Sequence, residues 1–186
     1  MSEINSNMIE SIIYKNNEEE VKIIDNFFSD TILKEILNYF NNTIWVCMCI
    51  SDINNCIYTG DSPYWRIELE KNEYFNSYIK DIIEKYLNKK INIKRIYAVG
   101  QTFSQDSVFH IDDDAKNTFT LCFYINNTID NNGLFHLKIP NKNHIISIEP
   151  LMNRTVIFPA YYRHKGSGFG RFNNSLRICI AWKFYL

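Results

Sequence analysis

Charge of one sign is what this sequence most plainly lacks: 20 basic residues stand against 21 acidic ones in a chain of 186. A dedicated nucleic-acid binder shows a basic excess, so that class ranks low, although a net figure leaves room for a local patch. No apolar run approaches the roughly 18 residues of a membrane span. The opening MSEINSNMIESIIYKNNEEE is polar and acidic, without the charged, then apolar, then small order of a secretory signal. A cytoplasmic location with no membrane partner is therefore expected. The five cysteines (Cys47, Cys49, Cys56, Cys122 and Cys179) are odd in number and lack the short ligand spacings of a zinc site. They read as free thiols in a reducing compartment, mostly inside apolar stretches. No repeat, linker or low-complexity block divides the chain, and nothing in it fixes an oligomeric state.

What is present suits a substantial core: 46% of residues are hydrophobic and 15% aromatic. Residues 1–20 read as a flexible N-terminal segment, and 21–186 as a single domain, with helical support over 26–90 and a β core over 91–186. VKIID (21–25) reads as a short strand entering a helix. Ser29 or Asp30 is its N-cap, and Ile32, Leu33, Ile36, Leu37 and Phe40 recur at helical spacing. Phe75, Tyr78, Ile79, Ile82, Ile83, Tyr86 and Leu87 form a second apolar stripe, with Lys80, Asp81, Glu84 and Lys85 opposite. Both helices are expected to brace a sheet.

Elsewhere the period is two. IWVCMCI (44–50), YWRIELE (64–70), IKRIYAVGQTF (93–103) and TFTLCFYI (118–125) are strand-like. So are LFHLKI (134–139), HIISIE (144–149), RTVIFP (154–159) and LRICIAWKFYL (176–186). Turn residues such as Asn131-Asn132-Gly133 and Pro140-Asn141 punctuate them. Helices followed by many short strands predict a mainly β, α+β chain with a jelly-roll core.

With only four histidines, each can be weighed. His110 lies two residues before Asp112, and in extended chain such positions face the same way. An imidazole and a carboxylate so placed can reach one metal ion, and His164, at the end of the strand RTVIFPA, supplies a third ligand. Two imidazoles and a carboxylate leave open coordination positions, the arrangement of non-haem iron(II) oxygenases. His-x-Asp alone arises by chance in roughly one such sequence in five; the bland reading is a solvated acidic loop, since Asp112, Asp113 and Asp114 run together. The following strand strengthens the case. In LRICIAWKF, alternation puts Arg177, Cys179, Ala181 and Lys183 on one face, and a guanidinium fork grips a carboxylate in two places. Arg177 could thus hold the distal carboxylate of a keto-diacid; its bland reading is a surface arginine at a strand end. His136 and His144 read as structural or surface residues.

Taken together, these segments resemble the prolyl-4-hydroxylase-like branch of the 2-oxoglutarate/iron(II) dioxygenases. VKIIDNFFSDTILKEILNYF looks like the family's opening strand and helix, and YAVGQTFSQDSVFHIDDD like the strand that leads to its His-x-Asp ligands. EPLMNRTVIFPAYYRHKG looks like the strand before its distal histidine, and LRICIAWKF like its closing strand. The resemblance implies a double-stranded β-helix and metal ligands His110, Asp112 and His164. It makes Arg177 the partner of the 2-oxoglutarate C5 carboxylate, with Tyr97 and Tyr124 as hydroxyl contacts and Gln101 as a lining residue. It implies iron(II), 2-oxoglutarate and O2, with ascorbate as an auxiliary reductant, and hydroxylation of a peptidyl side chain, proline before others, in a protein or peptide partner. Asp112 favours hydroxylation over halogenation, for which that position would be vacated for chloride.

Departures from the family pattern are visible. NNGLFHLKI keeps one glycine and lacks the acid of a Gly-Gly-Glu-like stretch, and Cys179 stands where a small hydroxyl residue often follows the arginine. Arg171 is closer to His164 than Arg177 and competes for the same role. Trp45, Tyr58, Tyr64 and Trp65 are grouped as a substrate-covering lid. Two alternatives stay open: a nucleic-acid oxidative demethylase of the same superfamily, which would carry a second arginine where this chain has Lys183, and a non-catalytic jelly-roll binding module.

Overall fold

The computed structural model of the chain describes residues 2–16, 19–49, 62–126 and 132–186. Alternating apolar and polar positions give eleven strands in two sheets among these residues. The larger sheet comprises β1 (Ile9–Asn16), β2 (Glu19–Asp25), β3 (Val46–Cys49), β4 (Tyr64–Glu68), β5 (Asn92–Gln101), β6 (Thr118–Tyr124), β9 (Arg154–Pro159) and β11 (Arg177–Tyr185). They pair antiparallel in the order β1-β2-β9-β6-β11-β5-β4-β3. The smaller sheet sets β10 (His164–Gly166), β7 (Phe135–Lys138) and β8 (Ile145–Ile148) side by side in that order.

Each face of the larger sheet buries a core of its own. On one face Ile96, Ala98, Leu121, Phe123, Ile180, Trp182 and Phe184 meet the helices α1 (Asp30–Asn41) and α2 (Lys80–Leu87). Ile32, Ile36 and Phe40 are the buried stripe of α1, and its N-cap is Ser29. A π-helical stretch, Tyr74–Ile79, leads into α2. Within it the Phe75 carbonyl accepts a hydrogen bond from Trp182 Nε1, at 3.3 Å. On the other face Cys122, Tyr124, Val156, Phe158 and Cys179 meet Phe135, Leu137, Ile139 and Ile148 of the smaller sheet and its turn. Two antiparallel sheets packed face to face, buttressed by helices, are the expected jelly roll.

Two boundaries differ from expectation. Within the segment expected to be flexible, Ile9–Asn16 pairs with β2 in register from Ile9↔Asp25 to Asn16↔Glu19. As the edge strand it keeps most side chains in solvent, so its composition reads as polar, while Ile13 and Tyr14 pack on the second core. Ion pairs Lys15–Glu20 and Lys22–Glu10 tie it down further. The region expected as helical support also contributes β3 and β4 to the larger sheet, so helices and sheet interleave along the chain. Among the described residues no helix is long and apolar enough to cross a membrane. Cys56, Tyr58 and Asn131 lie outside the described residues.

Candidate metal and co-substrate site

The face of the larger sheet opposite the helices carries a pocket, about 530 Å³ of empty space counted out to its mouth. Alternation along β11 sends Ile180, Trp182 and Phe184 to the helices, and Arg177, Cys179 and Ala181 into this pocket. His110 and His164 are direct cross-strand neighbours: His110 N–H donates to the His164 carbonyl at 3.0 Å, and His164 N–H returns the bond at 2.9 Å. Asp112 is fixed two residues on, where its backbone N–H donates to the Ala160 carbonyl at 2.9 Å. One ligand atom from each of His110, Asp112 and His164 lies within 4.8 Å of the others.

The hydrogen bonds around this cluster settle which ring nitrogen is available. His110 Nδ1 lies 2.9 Å from the Val108 carbonyl, and His164 Nδ1 is the same distance from the Tyr162 carbonyl. A carbonyl only accepts, so both Nδ1 atoms carry a proton, and Nε2 is the nitrogen that each ring can offer a metal. Burial pushes His164 down to about 4, against the pull of Asp112, so the ring is neutral at neutral pH. Burial alone would raise the Asp112 carboxyl, but His164, Lys183 and His110 outweigh it and hold it well below the usual carboxylate range. Thr120 Oγ1 donates to Asp112 Oδ2 at 2.6 Å, and the Lys183 ammonium lies 2.6 Å from Oδ1. Neither anchor was singled out from sequence as a partner of Asp112. Thr120 shares its strand face with Cys122 by simple alternation, but the pairing of Lys183 with Asp112 needs the strand register.

At the other end of the pocket, Arg177 is 2% exposed. Its Nε donates to the Gly133 carbonyl at 2.6 Å and its Nη1 to Gln101 Oε1 at 2.9 Å. Gly166 makes room for that pair, since a Cβ there would stand 2.9 Å from Gln101 Oε1. Among the described residues, the third nitrogen, Nη2, is buried without a well-formed hydrogen bond, and so is the Tyr124 hydroxyl. Both residues line the pocket, with the guanidinium 5.2 Å from the centre of the Tyr124 ring. A buried guanidinium nitrogen and a phenol, neither with a well-formed bond, at one end of a cavity have the chemistry to receive an anion. Arg171, the competing arginine, is exposed and stacks on the Phe172 ring.

Tyr97 and Gln101 also line the pocket, as does Tyr64 of the aromatic group read as a lid. Trp45 instead packs on the helix-side core, 5.7 Å from Phe40. Trp65 alternates to the strand face opposite Tyr64, so neither tryptophan covers this pocket. His136 and His144 lie away from it, as expected.

No protein-family model and no curated protein matches the sequence. Solved structures do match its fold. A 2OG-Fe(II) oxygenase family oxidoreductase from Burkholderia pseudomallei is 10% identical, with a TM-score of 0.66 over 85% of this chain and 80% of that one. A Trichoplax adhaerens prolyl hydroxylase, in complex with a hypoxia inducible factor oxygen degradation domain peptide fragment, is 18% identical, with a TM-score of 0.64 over 89% and 83%. A non-heme alpha ketoglutarate dependent carbocyclase from nogalamycin biosynthesis is 9% identical, with a TM-score of 0.66 over 90% and 80%. The chain therefore has the fold of these 2-oxoglutarate oxygenases, and its His–Asp–His cluster and buried arginine sit in one pocket of that fold.

Proposed function

We propose that the protein is an iron(II)- and 2-oxoglutarate-dependent oxygenase. The observation that carries this reading is the pairing of two features in one cavity: three ligand atoms gathered within 4.8 Å, and the unmet donors of Arg177 and Tyr124. His110, Asp112 and His164 would hold the iron, two neutral imidazoles and one carboxylate being a ligand set suited to it. Arg177 Nη2 and the Tyr124 hydroxyl would take the C5 carboxylate of 2-oxoglutarate, and Gln101 keeps the guanidinium turned toward it. Tyr97 would contribute a further hydroxyl from the pocket wall.

When bound, iron(II) and 2-oxoglutarate supply an oxidation by O2 that releases succinate and CO2 and places one oxygen atom in a substrate C–H bond. The protein's share is orientation and shielding. Thr120 and Lys183 fix the Asp112 carboxylate, the Nδ1 hydrogen bonds aim both imidazoles, and Val99, Phe135 and Ala181 form apolar wall that excludes water. Ascorbate would serve as an auxiliary reductant.

For the substrate we favour a peptidyl side chain, proline before others. The support is the resemblance of the four sequence segments and the shared fold with a prolyl hydroxylase; the carbocyclase with the same fold marks small molecules as the competing class. The test incubates the protein with iron(II), 2-oxoglutarate and ascorbate and measures succinate, with His110→Ala as control. Proline-containing peptides are then screened for gain of one oxygen. Absence of both metal and 2-oxoglutarate binding would sink the enzyme reading, whereas succinate without peptide oxidation would sink only the proline assignment.

A further inference from the structure

Alternation that turns His164 inward turns its neighbours outward, and the outer face of the smaller sheet is strongly cationic. Phe135, Leu137 and His164 are buried toward the pocket, so His136, Lys138, Arg163 and Lys165 face away from it. Lys165 is paired with His136 in register, and Lys138 N–H bonds the Arg163 carbonyl, which brings the four side chains together. The Phe109 ring lies across them. Lys138 Nζ stands 4.2 Å and Lys165 Nζ 5.6 Å from its centre, while Arg163 Nη2 donates to the Phe109 carbonyl at 2.8 Å.

None of Lys138, Arg163 and Lys165 reaches ion-pair distance of a carboxylate among the described residues, although most basic side chains on β2, β4, β5 and α2 do. Three uncompensated cations on one small sheet repel one another, a cost that an acidic partner would remove. Apolar groups border them: Ile145, opposite Lys138 in register, is 53% exposed, and Ile111 is 46% exposed. A bare phosphate backbone has no use for such neighbours, whereas a peptide mixing acidic and aliphatic side chains satisfies both.

We propose that this face, built on Lys138, Arg163, Lys165 and Phe109, is a docking surface for an acidic, aliphatic segment of the protein substrate. That segment is distinct from the part that enters the pocket. The assignment of the segment to the substrate rests on the oxygenase reading, while the binding itself does not. Because Phe109 precedes His110, and Arg163 and Lys165 flank His164, a segment held here anchors its protein on the backbone segments that carry both histidines.

Fluorescence anisotropy with a labelled peptide of alternating glutamate and leucine tests the proposal on the full chain. The expected result is binding that weakens with added salt and falls by about tenfold or more in the Lys138→Glu/Lys165→Glu variant. Phe109→Ala, which keeps every charge, is expected to lose less. A cooperative urea transition close to that of the unaltered protein confirms that the charge-reversed variant folds. Four results would overturn the proposal: no binding at low salt, equal binding of a lysine–leucine peptide, retained binding after charge reversal, or tighter binding of an oligothymidine. A protein that makes no succinate yet binds the glutamate peptide would overturn the oxygenase reading and leave the docking face standing.

Discussion

The two faces of the larger sheet are made by the same strands and obey opposite rules. On the helix side β11 presents Ile180, Trp182 and Phe184, each at most 1% exposed and packed among apolar neighbours. On the pocket side the same strand presents Arg177, Cys179, Ala181 and Lys183, so that charge is buried within a residue of the core. Burying a guanidinium and an ammonium costs stability unless partners meet them. Lys183 is met by Asp112, but Arg177 is left with Nη2 unmet. Both faces bury apolar core, but only the pocket face also buries charge that is incompletely met. Substitutions on the two faces should separate stability from binding.

The largest expected effect is on the helix side. Trp182→Ala would remove a fully buried indole and cost about 3–5 kcal/mol, enough to unfold much of a marginally stable domain. Urea denaturation with and without metal would measure it; a loss under about 1 kcal/mol would contradict the packing described. On the pocket side Asp112→Ala should abolish metal-dependent thermal stabilisation and succinate formation together while leaving a cooperative folded state. Retained iron(II) or manganese(II) binding, read by calorimetry, would remove Asp112 from the ligand set.

Arg177→Met comes next. Its loss should raise the KM for 2-oxoglutarate by roughly tenfold to hundredfold, the range of a charge-assisted hydrogen bond. Stability should fall modestly, since the Gly133 carbonyl and Gln101 Oε1 lose their donor while a buried cation met at only two of its three nitrogens is replaced by an apolar chain. A matched effect on stability and KM would mean that Arg177 is a structural residue. Thr120→Val is smaller: Asp112 would keep Lys183 and lose one anchor, with metal affinity down by about tenfold. An unchanged affinity would show that Lys183 alone orients the carboxylate.

The two faces were also unequally legible in the sequence. The helical stripe from Phe75 to Leu87 and the alternation of β11 announce themselves because many residues repeat one period; β11 forms as read, while the helix opens on a π-helical stretch, exposes Tyr78 and buries Glu84, which the pattern places on the outer face. The site depends on a few residues from distant segments, and pattern alone reaches it in part. His110 and Asp112 are spaced for a shared direction, and His164 and Arg177 were read from the strands that carry them. β10 is three residues long, too short to show a period, and so the mutual hydrogen bonds of His110 and His164 were invisible. Edge strand β1 hid for the reverse reason, since an exposed strand has no buried alternation to show. Trp45 was misassigned because an aromatic side chain carries no mark of whether it faces core or cavity.

The smallest effect concerns a carboxylate on the helix side that does no chemistry. Burial alone would raise the Glu84 carboxyl, but hydrogen bonds from Lys80, Lys90 and the Ile91 backbone N–H outweigh it and bring it from 4.5 down to about 2. Those bonds close the end of α2 onto the start of β5. A carboxyl lowered in the folded state stabilises that state fully above its unfolded value and loses this contribution as pH falls through the folded one. The loss should therefore begin near pH 4.5 and be complete below about 2. Other acids titrate in the same window, so the measurable quantity is the difference in urea midpoint between the unaltered chain and Glu84→Gln. With chelator present, metal release contributes nothing to that difference, which should shrink steadily between those two pH values. A difference independent of pH would mean that the lysines do not sense the charge on Glu84, and that the helix end is held by packing alone.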